Sequence, residues 1–230
     1  MLFFIISILA VIAFLDLRAY YKSSYYEITH ASPLSVRFDA GRLGEYLIWK
    51  NLRDAEKQGA KFLFNVYIPK CNGETSEIDV LMICSKGIFV FESKNYSGWI
   101  FGGTHYQYWI QTLPAGRGKS HKSKFFNPIL QNRGHIQHLS KLIGDFPMYS
   151  IICFSERCTL KSVPDSWADV KIIKRNEVRR TVSEICQSIP ETFLETEEID
   201  ELFAKLYPYT QVSDAEKAAH IQKIQAKHKK

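Results

Sequence analysis

Apolar positions fall into distinct rhythms along this chain, and each rhythm predicts an element. Residues 1–15 form an unbroken apolar run with one polar residue, Ser7, and no charge, and Leu17 extends it past Asp16. At 1.5 Å per residue, 17 helical residues reach roughly 26 Å against a hydrocarbon core of about 30 Å, which predicts a membrane anchor over residues 1–17. A buried core helix and a cleaved secretory leader are the competing readings. No Lys or Arg precedes the run and no small-x-small site directly follows it, which argues against cleavage. Tyr20, Tyr21, Tyr25 and Tyr26 are then expected as an interfacial belt, with Arg18 and Lys22 at the headgroups. Positive charge on the C-terminal side alone orients the body of the protein toward the cytoplasm. Residues 18–36 read as a juxtamembrane linker, rich in Ser and Tyr, with Pro33 opposing helix.

Beyond the linker, Leu43, Leu47 and Leu52 recur at helical spacing and predict a helix over 39–58, stopped by Gly59. Lys61–Pro69 is β-branched and aromatic and predicts a strand, followed by an Asn72-Gly73 turn. Two apolar runs, 77–84 and 88–94, flank Ser85-Lys86-Gly87 and predict an antiparallel hairpin. Residues 99–112 alternate like a strand, and 113–124 read as a flexible basic loop. Ile129, Ile136, Leu139 and Ile143 predict an amphipathic helix over Pro128–Ile143. Strands at 149–154 and 170–173, helices at 176–188 and Thr196–Leu206, and a weakly amphipathic end over 214–230 complete the series. That order predicts an α/β fold with a central mixed β-sheet flanked by helices.

Composition narrows the function classes. A 230-residue chain that is 46% hydrophobic and 13% aromatic is not disordered, and it can bury one sizeable core plus an appendage. Five cysteines, an odd and sparse count with none in a C-x-x-C pair or near a metal-spaced His, exclude a disulfide-stapled secreted scaffold. Lys and Arg number 30 against 24 Asp and Glu, a net charge of +6 that permits a polyanionic partner. The excess gathers in two places. Residues 113–124 carry Arg117, Lys119, His121, Lys122 and Lys124 with no acid, and the tail over 213–230 carries Lys217, Lys223, Lys227, Lys229 and Lys230 with no acid after Glu216. Nucleic acid and anionic lipid are both attracted by such charge.

The hairpin holds the candidate chemistry. Asp79 lies on its first strand, Glu92 and Lys94 on its second. Residues two apart on a strand share a face, and pairing around 85–87 sets Asp79 near Glu92. Two converging carboxylates repel unless a cation lies between them, and a hard, oxygen-ligated ion such as Mg²⁺, with Mn²⁺ as the alternative, is the natural occupant. A water on that ion becomes a nucleophile toward a phosphodiester, and Lys94 offsets transition-state charge. The same spacing recurs at Glu156 and Asp169-Val170-Lys171, but Pro164, Asp165 and Ser166 lie between them and do not make a tight hairpin. No Ser-His-Asp triad, phosphate-binding loop or dinucleotide fingerprint is present.

Gly44-Glu45, Glu77-Ile78-Asp79, Phe91-Glu92-Ser93-Lys94-Asn95, Gly98-Trp99, Trp109 and Asn127-Pro128 with Gln131 together resemble the nuclease-related (NERD) domain, a family similar to the PD-(D/E)xK nucleases. The resemblance spans roughly residues 37–155 and implies a restriction-endonuclease-like core, completed by 156–212. It implies Asp79 and Glu92 as metal ligands, Glu45 as a first-helix acid and outer ligand, Lys94 as the catalytic lysine, and Gln131 as the polar residue of the following helix. Ile78 stands where the superfamily name has proline, as is usual in this branch. The implied activity is Mg²⁺-dependent hydrolysis of nucleic acid, with DNA as the expected substrate and Arg117, Lys119, Lys122, Lys124 and Arg133 on its phosphates. The rival is a membrane-tethered scaffold of the same fold that binds nucleic acid or protein without catalysis. His135 and His138, three apart on one helix face, are expected at the surface or on phosphate rather than on zinc. Asn132, between Gln131 and Arg133, falls in a first helical turn that is commonly exposed. Trp99 and Trp109 are expected in the core rather than stacked on bases.

Overall fold

Two sheets carry the chain in this computed structural model, which describes residues 1–164, 166–167, 169–213, 215–219 and 222, the side chains of residues 2, 3 and 166 excepted. Four helices come first: α1 (Leu2–Tyr21), α2 (Ser24–Thr29), α3 (Pro33–Phe38) and α4 (Ala40–Leu52). Six strands follow, β1 (Lys61–Pro69), β2 (Thr75–Cys84), β3 (Gly87–Lys94), β4 (Gly98–Phe101), β5 (Tyr108–Pro114) and β6 (Ser120–Phe126). Then come α5 (Pro128–Ile143), β7 (Met148–Phe154), β8 (Cys158–Lys161), β9 (Ser166–Trp167), β10 (Val170–Lys174), α6 (Val178–Ser188) and α7 (Thr196–Leu206). The fold is mixed α/β, with a six-stranded sheet in the order β1-β2-β3-β7-β10-β9 and a four-stranded sheet in the order β6-β5-β4-β8.

The β2–β3 hairpin is the centre of the larger sheet. Cys84 pairs with Gly87 across a two-residue turn, and the ladder runs back to Val80 opposite Phe91. Gly87 takes φ +121, and a Cβ there would collide with the Pro147 carbonyl, so the turn requires glycine. β3 then pairs in parallel with β7, and β7 with β10, as crossover connections demand. Strands buried on both faces read as continuous apolar runs. That is why Ile88–Phe91 and Ile151–Phe154 are apolar without alternation. The main core lies between the helices and this sheet. A second core, with Ile100, Trp109, Ile129, Phe154 and Ile172, lies under the smaller sheet.

Local chemistry starts the two helices that flank the site. The Asp39 side chain accepts from the Arg42 amide and caps α4. Asn127 caps α5 in the same way with Pro128 in its first turn. The helix predicted over 39–58 is α4 continued by a 3-10 turn, Arg53–Gln58, ending at Gly59.

Three expectations are corrected. Residues 18–36 hold ordered helix, not an open linker: Ser23 and Ser32 cap α2 and α3, and Pro33 occupies the first turn of α3, where its missing N–H costs nothing. The tyrosines are not all an interfacial belt. Tyr25 is fully buried, edge-on to Phe64 at 4.8 Å and to Tyr46 at 5.2 Å, and Tyr20 is buried with its hydroxyl donating to the Ala31 carbonyl at 2.6 Å. Residues 113–124 are not a loop. Most of them build the β5–β6 hairpin, in register from Tyr108↔Phe126 to Pro114↔Ser120, around a turn at 115–119.

Among the described residues, α1 is the one helix long and apolar enough to cross a membrane, and it projects from the fold with its apolar side chains exposed rather than packed. Of the end predicted over 214–230, residues 215–219 are helical; Lys223, Lys227, Lys229 and Lys230 lie outside the described residues.

Tyr25 therefore joins α2 to the core. Tyr25→Ala is expected to destabilise the fold by about 3–5 kcal/mol, the cost of truncating a buried aromatic. Chemical denaturation of the full chain in detergent measures it, and a loss within the range of surface substitutions would place α2 outside the cooperative unit.

Candidate active site

The ladder between β2 and β3 ends at Val80 opposite Phe91, so Asp79 and Glu92 occupy the next positions, where the two strands part. Asp79 Oδ2 accepts the Ser93 amide at 2.7 Å, which ties the carboxylate to the neighbouring strand. Successive strand residues face opposite ways. Ser93 turns toward α4, where a methyl group at Gly44 would collide with its hydroxyl, so Gly44 permits the close approach that brings Glu45 to the sheet. Glu92 turns toward α5. It is 1% exposed, and both of its oxygens are held: Oε1 by the Lys94 ammonium at 2.6 Å, Oε2 by His135 Nε2 at 3.2 Å.

Lys94 Nζ also donates to Gln131 Oε1 at 3.1 Å, and His135 Nδ1 lies 2.7 Å from Ser76 Oγ. The network is consistent with Ser76 donating to Nδ1 and Nε2–H donating to Glu92. Asn132 is fully buried, its amide donating to the Val90 carbonyl at 2.9 Å and to Ser150 Oγ at 2.8 Å, which locks α5 across β3 and β7.

Glu45 is buried and accepts from Asn65 Nδ2 at 2.9 Å. Asn65 adopts φ +51, a conformation Asn tolerates better than most residues, between the pairs Phe64↔Val80 and Val66↔Ile78. A cavity of about 620 Å³ opens beside it, with Asp39, Arg42, Glu45, Glu77 and Lys217 in its lining.

The electrostatics divide the carboxylates into two kinds. Burial pushes Glu45 up to about 8, with the charges of Glu77 and Asp39 adding to it and the Asn65 hydrogen bond opposing. Burial, then the charges of Glu92 and Glu45, raise Asp79 well above the usual carboxylate range. Burial would raise Glu92 too, but Lys94 and His135 overcome it and its carboxyl is lowered. Burial would lower Lys94, yet Glu92, Tyr96 and Asp79 hold it above the ordinary lysine value. Lys94 is thus an ammonium at neutral pH, suited to electrostatic work rather than to proton abstraction, while burial favours the neutral form of both Asp79 and Glu45.

Among the described residues, no group of three or more His, Cys, Asp or Glu stands ready to hold a metal ion. Mg²⁺ asks for less, because it binds through one or two carboxylates and keeps waters and substrate oxygens in its remaining positions. Asp79 and Glu92, at neighbouring positions on β2 and β3, are the two carboxylates that could serve such an ion. Each Glu92 oxygen retains a second lone pair, and Asp79 keeps some exposure.

Four of the expected site residues, Asp79, Glu92, Lys94 and Gln131, therefore meet at one end of the sheet, with Glu45 behind them on Asn65. The expected phosphate contacts lie elsewhere. Arg117 and Lys119 sit in the β5–β6 turn, and Lys122 and Lys124 on β6. Arg133 pairs with Asp169 at 3.1 Å and stacks over Trp167 at 4.0 Å. Glu156 of the second, rejected carboxylate motif pairs with Arg175.

Further expectations change. His135 is buried in the site rather than at the surface. Asn132 is core, not part of an exposed turn. Trp109 is buried as expected, but Trp99 is 54% exposed. The signal for His135 was its spacing: Gln131 and His135 are four apart and share a helix face.

The sequence profile of the nuclease-related domain (NERD) family matches residues 40–155, just over half of the chain. The chain belongs to the nuclease-related domain family. An uncharacterized protein of Bacillus anthracis is 29% identical over 164 residues, covering 71% of this chain and 73% of that protein. No solved structure matches the chain. The nuclease-related domain begins at α4 and ends with Ser155, so the elements that hold Glu45, Asp79, Glu92, Lys94, Gln131 and His135 all fall inside it.

The raised carboxyls have a sign that can be measured. Folding lifts Glu45 from 4.5 to about 8, so the native state binds more protons than the unfolded chain between those values. Stability is complete below the lower value and falls as pH rises through the window. In chelating buffer the urea midpoint is expected to drop across that range, and Glu45→Gln to flatten the drop, with Asp79 leaving a residual slope of the same sign. An unchanged slope in Glu45→Gln would contradict the assignment.

Proposed function

We propose that this chain is a membrane-anchored, metal-dependent phosphodiesterase that hydrolyses nucleic acid, with DNA as its substrate. The observation that carries this reading is the Glu92–Lys94 pair set beside Asp79 where β2 and β3 part. Membership of a nuclease-related family and the chain's net positive charge support a polyanionic substrate.

Asp79 and Glu92 would hold Mg²⁺ or Mn²⁺, with Glu45 as the outer acid. When bound, such an ion supplies a water of lowered pKa and neutralises phosphate charge. The side chains do the rest. Lys94, kept protonated by Glu92, opposes the negative charge that grows on the phosphoryl oxygens and orients the attacking water. Gln131 fixes the Lys94 ammonium from α5. His135 acts one step back as a positioning residue, holding the second Glu92 oxygen so that the carboxylate keeps its aim.

The anchor is α1. Arg18 and Lys22 follow its apolar run, which orients the nuclease-related domain toward the cytoplasm by the positive-inside rule.

Full chain in nanodiscs, offered single-stranded, duplex and branched DNA and RNA, is expected to cleave DNA with Mg²⁺ and to stop in EDTA. Lys94→Ala is expected to slow cleavage by about 10²–10³-fold, the usual loss for one transition-state donor. Mg²⁺ should also raise the urea midpoint, and more so at alkaline pH, where fewer protons compete for the carboxylates; Asp79→Asn should abolish that gain. A parent chain that binds DNA identically with Mg²⁺ and with EDTA and cleaves nothing would place it with the non-catalytic scaffolds.

A further inference from the structure

Among the described residues, the outer face of the four-stranded sheet leaves two aromatics of β4, Trp99 and Phe101, exposed to water beside lysines, which is not the composition of an ordinary solvated surface. Register places Lys124, Ile110 and Phe101 in one row across β6, β5 and β4, and Lys122, Thr112 and Trp99 in the next. Directly opposed residues share a face. Ile100 and Trp109, on the other face, are buried in the second core, so these rows lie on the outer face, where Thr112 is covered but the aromatics and lysines at the row ends are not. Trp99 is 54% and Phe101 38% exposed, and Lys122, Lys124 and, on β8, Lys161 are exposed as well.

Lysines along β6 would serve to discourage edge pairing, a common need of an edge strand. That need does not account for two aromatics left in water on β4, which lies inside the sheet. Exposed apolar surface bounded by polar groups marks an interaction site. Its charge selects the partner. No Asp or Glu occurs between Glu92 and Asp145, the whole stretch that builds β4, β5, β6 and α5, so the face is positive and calls for an anion. An aromatic row beside a cationic one, two strands or roughly 10 Å apart, suits a chain of unpaired bases on a phosphate backbone. Duplex DNA hides its base faces and offers nothing for Trp99 and Phe101 to stack on.

We propose that this face holds a single strand of nucleic acid, with bases stacked on Trp99 and Phe101 and phosphates against Lys122 and Lys124. Three residues separate Lys94 from the start of β4, so the strand lies on the element that continues directly from the candidate active site. The assignment rests on reading the chain as a nucleic-acid enzyme, and it makes single-stranded segments the preferred substrate.

Binding of fluorescein-labelled oligothymidylate to the full chain, in nanodiscs of zwitterionic lipid with EDTA present, tests the surface apart from the chemistry. The double substitution Trp99→Ala/Phe101→Ala is expected to weaken binding by about tenfold or more, with Trp99→Phe/Phe101→Tyr restoring it. Lys122→Gln/Lys124→Gln is expected to lower the log–log salt slope by about 1.4. Equal binding by the double alanine variant and the parent would overturn the proposal. So would equal losses on single strand and duplex, or a loss confined to anionic vesicles, which would assign the face to lipid. Hydrolysis of bis(p-nitrophenyl) phosphate by the parent with Mg²⁺ reads the chemistry separately, because that ester needs no sheet. Hydrolysis with indifferent binding would sink the surface alone. Aromatic-dependent strand binding without hydrolysis would keep the surface and sink the nuclease reading.

Discussion

A carboxylate 1% exposed cannot remain charged on its own, and the site is organised around meeting that cost for Glu92. Lys94, two residues on, reaches back along the same strand face to one oxygen, and His135 arrives from α5 to the other. Removing Lys94 would take away the charge that faces Glu92, and removing His135 a hydrogen bond to its second oxygen. The arrangement then propagates outward. His135 needs Ser76 on β2, α5 needs Asn132 on Val90 and Ser150 to keep its height over the sheet, and Gln131 one turn earlier in α5 gains its place beside Lys94. Around Glu92, α5 is held over the sheet both by these polar contacts and by its buried Ile129, Leu139 and Ile143.

Against that paired centre stand Asp79 and Glu45, whose desolvation is not repaid by a cationic partner. One carboxyl lowered and two raised within one site is a division set by which of them the fold pairs with a cation, and the proposed metal ion would supply the charge that Asp79 and Glu45 lack. The Ser93 amide on Asp79 and the Asn65 amide on Glu45 fix where those acids point before any ion arrives. Preorganisation of this kind costs the fold stability at neutral pH, a common trade at functional sites.

The periphery is arranged with equal consequence. Tyr20, in the last turn of α1, and Tyr25, in α2, pack into the core, so a helix able to cross a membrane continues into the domain through buried aromatics rather than through a loose tether. On the far side of β3, the acid-free stretch from Ser93 to Gly144 builds a separate sheet whose inner face is core and whose outer face carries aromatics and lysines. Positive charge is thereby concentrated beside the active-site hairpin while the net charge of the whole chain stays modest.

Much of this was legible in the residues alone. The hairpin, with its turn at Ser85-Lys86-Gly87, is a local event: short loop closure and apolar runs of matched length determine it, and with it the meeting of Asp79, Glu92 and Lys94. The helices over Pro128–Ile143 and Thr196–Leu206 followed from period and caps for the same reason, and the apolar opening run marked α1. What escaped depended on partners distant in sequence. β6 has no apolar alternation because two of its core-side positions, His121 and Ser123, are polar, so only its pairing with β5 makes it a strand. His135 and Asn132 look like surface residues of a helix until Glu92 and Val90 are placed beneath them. Trp99 looks like core until the sheet's second face is found uncovered. Sequence by itself determined most of the elements, the apolar first helix and the meeting of Asp79, Glu92 and Lys94, because period, turn chemistry and local pairing act over a few residues. Tertiary structure alone decided which polar groups are buried, which charges are compensated and which aromatics face water, because burial is a property of what lies opposite.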